Sequence, residues 1–137
     1  MNLEVQWIVG FVEGEGCFHV SIRPNPDKTA GFDVLTEFRV VQHQQNVQVL
    51  YALKENFGCG VVRTNDEERM VYKVQKKQHL LEIILPYFMK HLMKTKRNVE
   101  FRKFRRILLM IEKDKHLTTE GMEEIRTVAA QMKRRNA

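Results

Sequence analysis

Cysteine is scarce in this chain: Cys17 and Cys59 are its only two in 137 residues. Two isolated thiols build neither a disulfide framework nor a metal cage. Reduced, partly buried thiols fit an intracellular protein, with mitochondrial matrix, chloroplast stroma or bacterial cytoplasm as the expected locations rather than secretion. No apolar run approaches the ~20 residues of a membrane span, so no membrane partner is expected. No basic segment leads into a long apolar stretch at the N-terminus, so no secretory signal is expected. The five histidines contain no H-x-x-x-H pair. G-x-x-x-x-G-K-S/T and G-x-S-x-G are also missing, so zinc, P-loop and serine-hydrolase chemistry lack their usual signatures. Repeats, low-complexity tracts and linkers are absent, and one compact domain over residues 1–137 is expected. What the chain does have is 43% hydrophobic and 29% charged residues, with a net charge of +6. That balance fits a polyanionic partner, and it equally fits plain solubility.

The most informative stretch is W-I-V-G-F-V-E-G-E-G, Trp7 to Gly16. Trp7, Ile8, Phe11 and Val12 cover most of a helix's circumference, so this helix packs on more than one side. Gly10 and Gly14 are four apart on one face, a spacing that lets two helix backbones approach closely. Glycine at 14 and 16 is expected to break the helix and deliver Glu13 and Glu15 at its C-terminal end. That end is the negative pole of the helix dipole and disfavours carboxylates by a few tenths of a kcal/mol. A divalent cation is the simplest compensation. Two solvated glutamates behind an apolar core helix remain the alternative on these residues alone.

Downstream, Gly16 to Arg23 alternates, with Phe18, Val20 and Ile22 on one face and His19, Ser21 and Arg23 on the other. Pro24 to Asp27 makes a turn. Phe32 to Val41 alternates again, with Asp33, Leu35, Glu37 and Arg39 on the polar side. Asn46 is expected to cap a helix to Phe57, with Gly58 as its stop. A second hairpin follows, carrying Arg63, Asn65, Lys73 and Gln75 outward and turning at Asp66 to Glu68. Gln78 to Leu85 reads as a helix interrupted by Pro86. Thr95 to about Lys113 reads as a long basic amphipathic helix. Thr118 or Thr119 then caps a last helix, with Glu120, Glu123 and Glu124 early and Lys133, Arg134 and Arg135 at its end.

A sheet with one polar face must use or solvate that face, and solvation is the commoner fate. Here the outward set is rich in donors and acceptors: His19, Ser21, Arg23, Asn25, Asp33, Glu37, Arg39, Arg63, Asn65, Lys73 and Gln75. Same-face residues recur every ~6.8 Å along a strand, about two base-pair rises, so such a ribbon can follow a major groove. Arginine suits guanine, Asn and Gln suit adenine, and Asp or Glu suits cytosine. Lys94-Thr95-Lys96-Arg97 adds a basic cluster, with Lys96 and Arg97 as further DNA contacts. Arg102, Lys103, Arg105 and Arg106 read as a solvated helix face or as plain phosphate contacts.

Ile8 to Gly16 resembles the motif of the LAGLIDADG homing endonucleases and their maturase relatives: a glycine in the helix, then acid-Gly-acid-Gly. Glutamate stands at 13 and 15 where the motif's name has aspartate. The resemblance implies an α+β fold, an αββαββα core with an antiparallel four-stranded DNA-binding sheet and extra C-terminal helices. It further implies Mg²⁺ held by Glu15 with the Gly14 carbonyl, and Mn²⁺ or Ca²⁺ as other occupants of that site. L-M-K-T-K-R, Leu92 to Arg97, resembles the family's L-K-T-K-K segment, which puts Lys94 near the scissile phosphate. Gln42 falls where the family carries a polar residue that orients solvent. Glu15, Gln42 and Lys94 are therefore the expected catalytic residues. One motif supplies one Glu15, so cutting both strands calls for a homodimer joined through Trp7, Gly10, Phe11 and Gly14. The expected function is Mg²⁺-dependent double-strand cleavage of a long pseudo-palindromic DNA site. The rivals are an intron-RNA maturase of the same fold and a DNA-binding protein that does not cut.

Overall fold

The computed structural model describes residues 1–134. Helix α1 (Val5–Glu15) leads into the hairpin β1 (Gly16–Pro24) and β2 (Phe32–His43). After α2 (Val47–Phe57) comes the second hairpin, β3 (Val61–Thr64) and β4 (Arg69–Val74). The four strands form one antiparallel sheet in the order β1-β2-β4-β3. The two hairpins thus meet through β2 and β4, where Phe38 pairs with Val74 and Arg39 with Lys73.

The alternation read from the sequence holds except at Glu37 and Val71, which lie on the outward side yet are buried. Phe18, Val20, Phe38, Val40, Val62, Tyr72 and Val74 are buried on one face. The Phe18 ring lies within 6 Å, centroid to centroid, of Phe38, Phe88, Phe101 and Phe104. Such pairs add ~0.5–1.5 kcal/mol each beyond the area they bury, so Phe18 ties β1 to the helices beneath it. The Tyr72 hydroxyl donates to the Cys59 carbonyl at 2.8 Å, which satisfies the one polar atom of a ring otherwise sealed in the core.

Several boundaries differ from the sequence reading. Gly14 stays helical and the helix ends after Glu15; a glycine inside a helix costs only ~1 kcal/mol, too little to break it. The Asn46 side chain does not cap α2. His43 instead caps a short 3-10 turn ahead of it, accepting from the Gln45 N–H at 3.1 Å. Gly58 ends α2 in the left-handed region at φ +71°, as expected. Pro86 does not interrupt its helix. Helical structure runs from α3 (Lys77–His79) through a π-helical turn, Leu80–Ile84, into α4 (Leu85–Lys90). The wider turn changes the bonding ladder just before a residue that has no N–H to contribute. Helix α5 (Lys96–Glu112) is capped by Thr95, whose hydroxyl accepts from Arg97 N–H at 3.4 Å. Helix α6 (Thr119–Arg134) is capped by Thr118, which accepts from Gly121 N–H at 3.0 Å. Arg135, expected at the end of that helix, lies outside the described residues.

Candidate functional site

Helix α1 buries Ile8, Val9 and Val12 and leaves Gly10 and Gly14 on its open side. Trp7 keeps 47% of its surface exposed and stacks on Phe11 at 4.8 Å. A Cβ added at Gly10 or Gly14 meets nothing within 4 Å. The chain itself therefore has no use for these glycines. Among the described residues, Trp7, Gly10 and Gly14 form a stripe open to solvent, with Phe11 half-buried against the core beside it.

Gly16 is different. A Cβ there would lie 2.7 Å from Val12 Cγ1 and 2.8 Å from the Val12 carbonyl oxygen. Gly16 N–H also bonds that carbonyl, so the chain passes from helix to strand within one residue. The sharp junction places Glu15, exposed, at the edge where α1 meets the sheet. Glu13 points elsewhere: its carboxylate accepts from Thr95 N–H at 2.9 Å. Hydrogen bonding by the Thr95 side chain outweighs burial and, with the backbone and charge of Lys94, holds the Glu13 carboxyl below its usual range. Lys94 is exposed beside it. The fold thus brings Lys94, distant in sequence, to the end of α1 that carries Glu15.

Gln42 sits two residues past the Gly16–Val40 pair. It is half-buried and donates to its neighbouring Val41 carbonyl at 2.9 Å. It also lines a hollow of about 290 Å³ with Trp7, Phe11 and Val49. Glu15 and the Gly14 carbonyl are hard oxygen donors, suited to Mg²⁺ or Ca²⁺. Among the described residues no group of three or more His, Cys, Asp or Glu gathers to hold a metal. A cation here would take its other ligands from water, phosphate or a second copy of the site, which fits the habit of Mg²⁺ of keeping several waters.

The outward sheet residues do not stand alone. Asn25, in the turn beyond β1, donates to Asp33 at 2.8 Å, and Lys28 lies 3.8 Å from the same carboxylate. Glu37 was expected to read a base, yet it is buried, accepting from Gln75 at 2.6 Å and facing Arg39 at 3.4 Å. Arg39 also donates to Asn65 at 3.3 Å. His19, Ser21 and Lys73 are half-buried on the same face, and Arg23 and Arg63 are exposed.

Lys96 is exposed, but Arg97 is half-buried and engaged twice. It donates to the Glu13 carbonyl at 3.3 Å and to Glu100 at 2.9 Å. Glu100 was missed by the sequence reading. It is buried and also accepts from Phe18 N–H at 3.1 Å. Its signal was available, because position 100 shares the inner stripe of α5 with Phe104, Ile107 and Ile111. An acid on an apolar stripe must have a partner.

Residues 8–108 match the family model described as LAGLIDADG endonuclease. The chain is 29% identical over 126 residues to "Probable intron-encoded endonuclease 2" of Neurospora crassa, covering 90% of this chain and 28% of that protein. The chain therefore spans under a third of that curated relative. Among solved structures, the homing endonuclease I-TnaI is 49% identical with a TM-score of 0.92, over 96% of this chain and 89% of that one. I-SmaMI, bound to uncleaved DNA target in the presence of calcium ions, is 29% identical with a TM-score of 0.93. That match covers 96% of this chain and 45% of I-SmaMI.

Proposed function

The chain belongs to the LAGLIDADG endonuclease family, and from that premise we propose that two copies of it cut both strands of a long, pseudo-palindromic DNA site. The observation that carries this reading is the position of Glu15. It is exposed at the last position of α1, one residue before β1, on a helix whose Gly10 and Gly14 face open space. Two chains joined along Trp7, Gly10, Phe11 and Gly14 would bring two Glu15 carboxylates to one axis, one for each strand. Their sheets would extend to either side along the major groove, and the net charge of +6 per chain would favour salt-sensitive docking on phosphate.

Glu15, with the Gly14 carbonyl, would hold a divalent cation: Mg²⁺, with Mn²⁺ and Ca²⁺ as alternative occupants. When bound, such an ion stabilises the attacking and leaving oxygens of an in-line phosphodiester hydrolysis. Lys94 would place its ammonium against the charge that builds on the phosphoryl oxygens. Gln42 would orient the attacking water. The intron-encoded relative and the DNA-bound neighbour support the class of activity and the double-stranded partner.

The test uses a duplex carrying the host gene's intronless insertion site, incubated with the protein and Mg²⁺. Cleavage of both strands is the expected result. An intact duplex together with faster splicing of the intron RNA would replace this reading with that of a maturase.

A further inference from the structure

Lys94 lies in a stretch, residues 91–95, without regular secondary structure between α4 and α5. A lysine on such a loop has no intrinsic reason to keep a fixed distance from Glu15. Five hydrogen bonds supply one. Glu13 Oε2 accepts from Thr95 N–H at 2.9 Å, across 82 residues of sequence. Arg97 Nε donates to the Glu13 carbonyl at 3.3 Å, and Arg97 Nη1 donates to Glu100 Oε2 at 2.9 Å. The same Glu100 oxygen accepts from Phe18 N–H at 3.1 Å, and Arg97 N–H donates to Thr95 Oγ1 at 3.4 Å.

Glu15 lies between two of the anchored residues, Glu13 and Phe18, and Lys94 is the immediate neighbour of a third, Thr95. We infer that Glu13, Arg97 and Glu100 form a clasp that sets the spacing between Glu15 and Lys94, with Glu13 and Arg97 as positioning residues for the cleavage step. The inference rests on the nuclease reading above. It also gives Arg97 a different task from the phosphate or base contact its sequence position suggests: its Nε and Nη1 are both engaged inside the protein.

Stability alone is a poor reason for this arrangement. Glu100 is only 6% exposed, and a buried ion pair commonly adds little or nothing over well-packed apolar side chains. What the bonds supply is direction, since each has one geometry and together they join the end of α1, the start of β1 and the start of α5. A misplacement of ~1 Å at reacting groups can cost ~100-fold in rate.

The experiment compares wild type, Glu13→Ala, Glu13→Gln and Arg97→Lys on the duplex carrying the insertion site. It reads single-turnover cleavage with Mg²⁺, equilibrium affinity with Ca²⁺, and the thermal midpoint. Glu13→Ala removes the acceptor for Thr95 N–H and should slow cleavage about ten-fold or more, with affinity unchanged within about two-fold. Glu13→Gln keeps an oxygen that can accept from Thr95 and should recover most of that rate. Arg97→Lys keeps the charge but cannot bridge Glu13 and Glu100, so it should lose rate and keep affinity. It also stands in for Glu13→Ala if that variant fails to fold. Wild-type rates in both Glu13→Ala and Arg97→Lys would overturn the inference, as would an Arg97→Lys protein that binds weakly and cuts at full rate once bound. Equal losses in Glu13→Ala and Glu13→Gln would also overturn it, because charge rather than position would then be at work. A wild-type protein that binds the duplex and leaves it uncut overturns the nuclease reading and this inference together. A wild type that cuts beside variants that cut equally well overturns the inference alone.

Discussion

Glu37 is an acid on the polar face of the sheet, yet only 5% of it is exposed. Gln75 holds one of its oxygens and Arg39 faces the other. On the DNA-binding reading, Glu37 would aim Arg39, with Asn65 steadying the same guanidinium. Arg39→Ala should therefore relax sequence preference at one base pair by about 1–3 kcal/mol if the contact is bidentate to guanine. Glu37→Gln should relax the same base pair by less and leave the others alone. A binding-site selection on both variants checks this; altered preference at different base pairs would separate the two residues. His116 is a second case of context deciding chemistry. Its Nδ1 is buried with no hydrogen-bond partner among the described residues. Burial first, then the charges of Lys77 and Lys28 against the opposing Asp114, lowers its pKa below 6.5. The folded state thus resists protonation that the unfolded state accepts. The stability this confers is complete above pH 6.5 and is lost as pH falls from there through the lower folded value. Urea unfolding at pH 7.5 and 5.5 should show a drop that His116→Gln reduces.

At the scale of elements, the three glycines around the end of α1 divide by what surrounds them. Gly16→Ala forces a Cβ against the Val12 carbonyl, a backbone atom that cannot swing aside. Overpacking of this kind costs ~1–3 kcal/mol, and the thermal midpoint should fall by several degrees. Gly10→Ala and Gly14→Ala meet open space, and replacing a helical glycine should raise the midpoint slightly. If α1 is the seat of assembly, the same two variants should weaken it. Calorimetry beside sedimentation separates the two effects. The elements themselves were largely legible. Period-two alternation in Gly16–Arg23 and Phe32–Val41 marked the first hairpin, because a half-buried sheet imposes that pattern on its sequence. The motif marked Glu15 for the same reason: local spacing sets its position. The path through Pro86 was not legible, since a π-helical turn leaves no periodic trace. Nor was the clasp, three of whose five bonds join residues more than 80 apart. Arg97 read as a surface cation because sequence shows its charge and hides its partners.

At the scale of the whole molecule, two faces of the described residues are open to an outside partner: the exposed stripe on α1 and the polar side of the sheet. A copy of the chain on the first and a DNA duplex on the second would satisfy both. Each chain would then contribute one Glu15 to one strand. On the proposed reading Glu15→Gln would remove the anionic metal ligand and lessen repulsion with phosphate, so the variant should bind DNA at least as well as wild type. The most direct measurement mixes wild type and Glu15→Gln chains, allows them to exchange, and follows a supercoiled plasmid bearing the target with Mg²⁺ present. Wild type alone should linearise the plasmid, Glu15→Gln alone should leave it supercoiled, and the mixture should accumulate nicked circles. Linear product from Glu15→Gln alone, or a mixture that gives only linear and supercoiled DNA after confirmed exchange, would contradict the account.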